Sequence, residues 1–195
     1  KPLHLGGYDK QQLEDIYRSS IGNWNLYLYD GFGSFDPQVI YSRIEYLACG
    51  LECRVIFLDH LSILLSGLDG DERRMIDKTM TDLRSLVERT GIHLFLVSHL
   101  RRTQTDKNHE EGARVTLGQL KGSSSISQLS DSLIALERNQ QNSGDSTTLR
   151  LLKNRYSGEL GVACELNYDL SNCRFSENET TEPSFLRGTS ETTDF

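Results

Sequence analysis

Two short apolar runs, Val55-Ile56-Phe57-Leu58 and Leu94-Phe95-Leu96-Val97, flank a helical stripe between Asp71 and Thr90, and this arrangement constrains the fold more than any other feature. Each run is too short for a helix and is bounded by polar residues, as expected of a strand buried on both faces. Between them Met75, Ile76, Met80, Leu83, Leu86 and Val87 trace one side of a helix that is acidic at its start and closed by Gly91. Strand, helix, strand in that rhythm predicts a right-handed βαβ unit of a parallel sheet. Its chemistry should collect where the strands end, at Asp59 and His99.

The flanking sequence extends this α/β reading. Asp9 to Ser20 places Leu13, Ile16 and Tyr17 on one helical face, and Leu26-Tyr27-Leu28-Tyr29 reads as a short strand. Asp36 is an N-cap with Pro37 just inside, and Val39, Ile40, Ile44 and Leu47 recur at helical spacing up to Gly50. Arg101 to Ser125 lacks periodicity and reads as a long loop. Leu133 to Leu136 reads as a third strand, and Thr147 to Lys153 pairs with Leu160 to Tyr168 as a hairpin turning at Tyr156 to Glu159. Beyond Phe175 the chain is rich in Ser, Thr, Glu and Asn, which divides it into a body of residues 1–175 and an acidic, disordered tail of residues 176–195.

Charge and cysteine usage narrow the classes further. The net charge is −7, and five acids against Arg187 in the tail leave the body only mildly acidic. General coating of DNA is thereby disfavoured, while a local basic loop is still allowed. Cys49, Cys53, Cys164 and Cys173 form no CxxC pair and have no histidine at metal-ligand spacing, so they read as reduced thiols of a cytosolic protein. No apolar run approaches the roughly 20 residues a membrane helix needs. The chain starts at Lys1 without a leader or an initiator methionine and is expected to be a piece of a longer one.

Several residues can carry chemistry. Leu58-Asp59 has the form of a Walker B segment, whose carboxylate can hold magnesium through water beside nucleotide phosphates; the plainer role for such an Asp is capping the next element. His99 can sense a γ-phosphate or serve as a structural strand-end residue. Arg101, Arg102, Lys107, Arg114 and Lys121 lie in a segment that also holds Gly122, Ser123, Ser124 and Ser125. Such a loop can track a single-stranded phosphate backbone or simply be solvated, and without aromatic residues it reads no bases. Lys153 and Arg155 sit two residues apart on one face, placed either for cross-strand pairing or for reaching a phosphate across a subunit boundary.

Leu58-Asp59-His60, Val97-Ser98-His99-Leu100, His109-Glu110-Glu111-Gly112, Gln128-Leu129-Ser130-Asp131, Ala135 to Gln141 and Lys153-Asn154-Arg155-Tyr156-Ser157-Gly158 occur in the order and spacing of a known family. From about Tyr27 to Phe195 the chain resembles the DnaB-type ring helicases, and within them the C-terminal helicase part of the primase-helicases of T-seven-like podoviruses, with the mitochondrial Twinkle helicase more distant.

The resemblance implies the C-terminal portion of a RecA-like P-loop NTPase core, a mostly parallel sheet flanked by helices and ending in a β-hairpin. Asp59 would be the Walker B carboxylate and magnesium ligand, His99 the phosphate sensor, and Gln128 the link from γ-phosphate to DNA loop. Lys153 and Arg155 would act on the neighbouring subunit's nucleotide, and Arg138 and Tyr168 would sandwich the base. The stretch from Arg101 through Arg102 to Lys107 and that from Lys121 through Gly122 and Ser123 to Ser125 would line a central channel. There Arg101 and Arg102 stand for the family's two cations, and Lys121 for its arginine. Also implied are Mg2+ with ATP or dTTP, a hexameric ring of identical subunits, 5′-to-3′ movement on single-stranded DNA, action in the cytoplasm of an infected bacterium, and docking of a replicative DNA polymerase through Asp194 and Phe195.

No Gly-x-x-x-x-Gly-Lys-Ser/Thr occurs in the 195 residues, nor the strand that would supply the catalytic glutamate. The isolated chain is therefore expected to be inactive. The alternatives are a non-catalytic remnant that docks replication partners and a RecA-type recombinase or ATPase paralogue.

Overall fold

In the computed structural model, residues 7, 9–29, 36–65, 70–101, 109–121, 124–141 and 146–178 are described. Helix α1 (Lys10–Ser19) is capped by Asp9, whose carboxylate accepts the Gln12 N–H while the Gln12 side chain accepts the Asp9 N–H. No residue of α1 is buried. The expected strand at Leu26–Tyr29 does not form: the segment is irregular, with Leu28 86% exposed, because no neighbouring strand among the described residues satisfies its backbone.

Helix α2 (Pro37–Gly50) starts as expected, Asp36 Oδ1 accepting the Gln38 N–H with Pro37 in the first turn. Strand β1 (Val55–Leu58) leads through the short α3 (Leu61–Leu65) to α4 (Glu72–Thr90), then to strand β2 (His93–Leu96), which pairs with β1 in parallel, Val55 opposite His93 and Leu58 opposite Leu96. Asp71 caps the start of α4, and Gly91, at φ +70°, ends it in the left-handed region that a side chain would disfavour.

One face of the β1–β2 pair is core. Ile56, Ile40, Ile44, Leu64, Leu83, Leu86 and Ile92 form a buried cluster with Leu58, Leu94 and Leu96 packed against it. The expectation of strands buried on both faces is corrected on the other side, where Val55, Phe57, Phe95 and Val97 are open and Phe57 is 72% exposed. The Phe57 and Phe95 rings stack there with centroids 4.7 Å apart. No described element covers this face.

Helix α5 (Ser125–Leu129) joins a second cluster, Leu61, Leu65, Ile76, Met80 and Ile126, against which Leu120, Leu129 and Leu133 pack. Strands β3 (Ser132–Arg138), β4 (Ser146–Asn154), β5 (Gly161–Asp169) and β6 (Arg174–Glu177) form an antiparallel sheet in that order. The expected hairpin is β4–β5. Among the described residues the balance differs from a mostly parallel sheet, with two parallel strands and four antiparallel ones in separate sheets. β6 also runs past the expected tail boundary, so Ser176 and Glu177 are strand residues paired with Asn167 and Leu166. Asp194 and Phe195 lie outside the described residues, as do Arg102, Lys107, Gly122 and Ser123.

Candidate functional site

The parallel pair brings Asp59 and His99 to one edge. The Val97 N–H donates to Leu58 O at 3.0 Å and the Leu61 N–H to Val97 O at 2.9 Å, so the two chains leave the sheet side by side. Asp59 is exposed there, and the next residue, His60, sets its ring edge-on against the His99 ring with centroids 4.3 Å apart. The His60 Nδ1 is buried with no hydrogen-bond partner. No group of three or more His, Cys, Asp or Glu side chains among the described residues is arranged to hold a metal. A single exposed carboxylate does fit magnesium, which keeps most of its waters and takes one or two carboxylates beside substrate phosphates. Asp59 would hold it.

Directly after His99 the chain is strapped to the start of the second candidate loop. Leu100 and Leu120 form an antiparallel bridge, with the Arg101 N–H donating to Gln119 O at 2.7 Å and the Lys121 N–H to His99 O at 3.1 Å. In this antiparallel register Arg101 lies opposite Gln119 and Lys121 opposite His99, so the two cations flank the bridge at its opposite ends, and Lys121 also meets Glu72 at 3.5 Å on the surface.

The returning part of the loop is fixed on the antiparallel sheet. Glu137 receives Arg150 through two bonds, Nε to Oε1 at 2.8 Å and Nη2 to Oε2 at 3.0 Å, and its Oε1 also accepts the Val115 N–H at 2.7 Å. Both side chains are largely buried, 14% and 7% exposed for Arg150 and Glu137. Glu111 bridges Asn139, and Gly112, at φ +75°, lies so close that a Cβ there would sit 3.0 Å from the Asn139 Cβ.

Lys153 and Arg155 lie at the far end of β4. The Lys153 ammonium donates to three carbonyls at the end of α5, those of Ser127 at 2.7 Å, Gln128 at 3.2 Å and Ser130 at 2.7 Å. Gln128 itself is exposed on α5. Arg155 is 63% exposed and reaches Asp131 Oδ1 at 3.4 Å, while its backbone N–H donates to Asp131 O. The other Asp131 oxygen takes Arg84 of α4 at 2.7 Å. The Arg84 hydrogen bond, with Arg155 adding to it, holds the Asp131 carboxyl below the usual carboxylate range, and the same contact raises Arg84.

Arg138 and Tyr168 lie at the opposite end. Arg138 pairs with Thr147, which pairs with Leu166, so Arg138 and Tyr168 share a face of the sheet, two strands apart. Tyr168 packs on Phe175 with ring centroids 4.9 Å apart. A hydrogen bond with Cys173 raises its hydroxyl, which the charge of Arg138 partly offsets. From Thr147 to Lys153 the strand spans about 20 Å at about 3.3 Å per residue. The structure therefore places Asp59 and His99 at one edge of the parallel pair, sets Lys121 opposite His99, puts Arg138 and Tyr168 on one face of the antiparallel sheet, and holds the Lys153 and Arg155 pair apart from Arg138.

Sequence reasoning missed Asp131, Arg84, Glu137 and Arg150. Asp131 and Glu137 fall inside the family's motifs without a role of their own. Arg84 lies 47 residues from its partner and left no local signal.

The DnaB-like helicase C-terminal domain model matches residues 3–177. The chain is 39% identical over 181 residues to the DNA helicase/primase of Enterobacteria phage T3, an alignment covering 91% of this chain and 31% of that protein. The chain thus spans about a third of that relative's length. Among solved structures, the ATPase domain of the protein G-forty-P superposes with a TM-score of 0.68 at 18% identity, over 85% of this chain and 59% of that one, a likeness of fold. With the family model matching most of its length, this chain belongs to the DnaB-like helicase C-terminal domain family.

Proposed function

We propose that this chain forms part of a replicative ring helicase, in which hydrolysis of ATP or dTTP with Mg2+ drives 5′-to-3′ movement along single-stranded DNA. The observation that carries the reading is the strap at Leu100 and Leu120, because it ties the candidate phosphate sensor His99 directly to the roots of both basic loops. Asp59 would hold magnesium, which screens phosphate charge when bound. His99 would hydrogen-bond the γ-phosphate, and a change there would pass along one strand to Arg101, Arg102 and Lys107 on one side of the bridge, and to Lys121, Gly122 and Ser123 on the other.

The separation along β4 supports a ring. A nucleotide base between Arg138 and Tyr168 lies too far from Arg155 of the same chain, so the cation at the far end would serve a neighbour's phosphates. The acidic tail would dock a DNA polymerase, with Phe195 as apolar anchor and Asp194 in the attracting segment. Family membership favours this reading over a recombinase.

The test joins this chain to a family segment that carries a Walker A loop, since its own 195 residues contain none. The joined protein should hydrolyse ATP or dTTP with stimulation by single-stranded DNA, and Arg155→Ala should cost on the order of a thousandfold in turnover. Charge reversal at Arg101, Arg102 and Lys107 should flatten the salt dependence of DNA binding. Hydrolysis indifferent to Asp59→Asn and to DNA would overturn the proposal.

A further inference from the structure

We propose that His109 is a positioning residue that couples the Arg138 end of the antiparallel sheet to Arg101, where the first basic segment begins. Naming one end a base site and the other a DNA contact rests on the helicase reading; the coupling between them does not. His109 Nε2 lies 3.1 Å from the Arg101 carbonyl oxygen. A carbonyl can only accept, which assigns the proton of a neutral ring to Nε2. The other ring nitrogen, Nδ1, is buried without a hydrogen-bond partner. The polar contact of the ring is thus spent on Arg101, whose own N–H donates to Gln119 O at 2.7 Å. Both backbone groups of Arg101 are held.

Behind the ring, the turn from His109 to Gly112 is fixed to the sheet. The Gly112 N–H closes it by donating to His109 O at 3.1 Å, and the Gln140 N–H donates to Glu110 O at 2.8 Å. Glu111 bridges Asn139, and Gly112, at φ +75°, comes so near Asn139 that a Cβ there has little room. Asn139 Oδ1 in turn accepts the Gln141 N–H at 2.9 Å. Asn139 and Gln140 follow Arg138 directly, so one short turn joins the end of β3 to the residue after Leu100. A shift of Arg138 on taking up a base would move this turn as a unit and pull at Arg101 through the imidazole. That route bypasses His99 and the γ-phosphate.

Adjacency alone does not make a coupling; a response at one end to a change at the other does. The experiment is therefore a double-mutant cycle read by residue-resolved amide hydrogen exchange on the chain itself, at the Gln140 and Arg101 N–H groups. Gly112→Ala sets a Cβ against Asn139 in a backbone conformation that side chains disfavour, and so disturbs the turn at its sheet end. It should accelerate exchange by on the order of tenfold at Gln140 and by a smaller factor at Arg101. In His109→Ala the same change should still act on Gln140 but have no further effect at Arg101. His109→Gln, whose side-chain N–H stands where that of Nε2 stood, should restore the response at Arg101. Should Gly112→Ala fail to fold, Asn139→Ala gives the same cycle with a milder disturbance, because it removes the acceptor of the Gln141 N–H. A ring that only fills space would give additive effects. An Arg101 response equal with and without the imidazole would overturn the coupling, as would an Arg101 amide indifferent to both sheet-end changes when His109 is present. Nucleotide and DNA enter none of these measurements, so failure of the helicase reading would leave the result standing.

Discussion

At Asp131 a single carboxylate receives an arginine on each oxygen, Arg84 from α4 at 2.7 Å and Arg155 from the turn beyond β4 at 3.4 Å. Because the folded chain holds this carboxyl below its ordinary value, the carboxylate binds protons less readily when folded than when unfolded. Its contribution to stability is therefore fully present above the unfolded value of about 3.9 and is lost as pH falls through the lower folded one. Asp131→Asn should cost about 1 kcal/mol at neutral pH, discounted for the partial exposure of both arginines. The difference from wild type should shrink as the medium is taken below about pH 4. Urea unfolding of both proteins at pH 7 and pH 3 checks this, and a penalty equal at the two pH values would refute it.

At the scale of elements, the Glu137–Arg150 pair joins β3 to β4 and, through the Val115 N–H, holds the returning loop on the sheet. Glu137→Ala would leave a buried guanidinium without its counter-charge and should destabilise the fold by about 3 kcal/mol. It should also release residues 109–116 to proteolysis before global unfolding; a variant as resistant as wild type would show the loop is held elsewhere. The helices were legible in the sequence because their signals are local: Asp36 with Pro37, Asp71, Gly91 and the stripe from Met75 to Val87 each act within one turn or one face. The hairpin was legible for the same reason. Leu26–Tyr29 misled because alternating apolar residues make a strand only where another strand meets them. Glu137–Arg150 and Arg84–Asp131 were unreadable because they depend on which elements come to lie together. Within the site, Asp59 and His99 could be found as strand ends. The three carbonyl contacts of Lys153 could not, since the sequence shows a cation without showing where its stem points.

At the scale of the whole molecule, the open face of the parallel pair is the feature expected to govern behaviour in solution. Val55, Phe57, Phe95 and Val97 present adjacent apolar side chains, more contiguous than scattered surface residues usually are. The chain should bind a hydrophobic dye and self-associate as its concentration rises. Phe57→Lys should suppress both while changing the unfolding free energy by less than about 1 kcal/mol, since that ring is already mostly in water. Light scattering with parallel denaturation curves tests this, and undiminished association in Phe57→Lys would locate the sticky surface elsewhere. The antiparallel sheet imposes a different kind of order. With Arg138 and Tyr168 at one end of β4 and Arg155 beyond the other, the strand is a ruler. Under the proposed ring reading, the length of β4 would set how far the cation lent to a neighbour stands from the chain's own base site, so that lengthening the strand by two residues would change the reach across the subunit boundary.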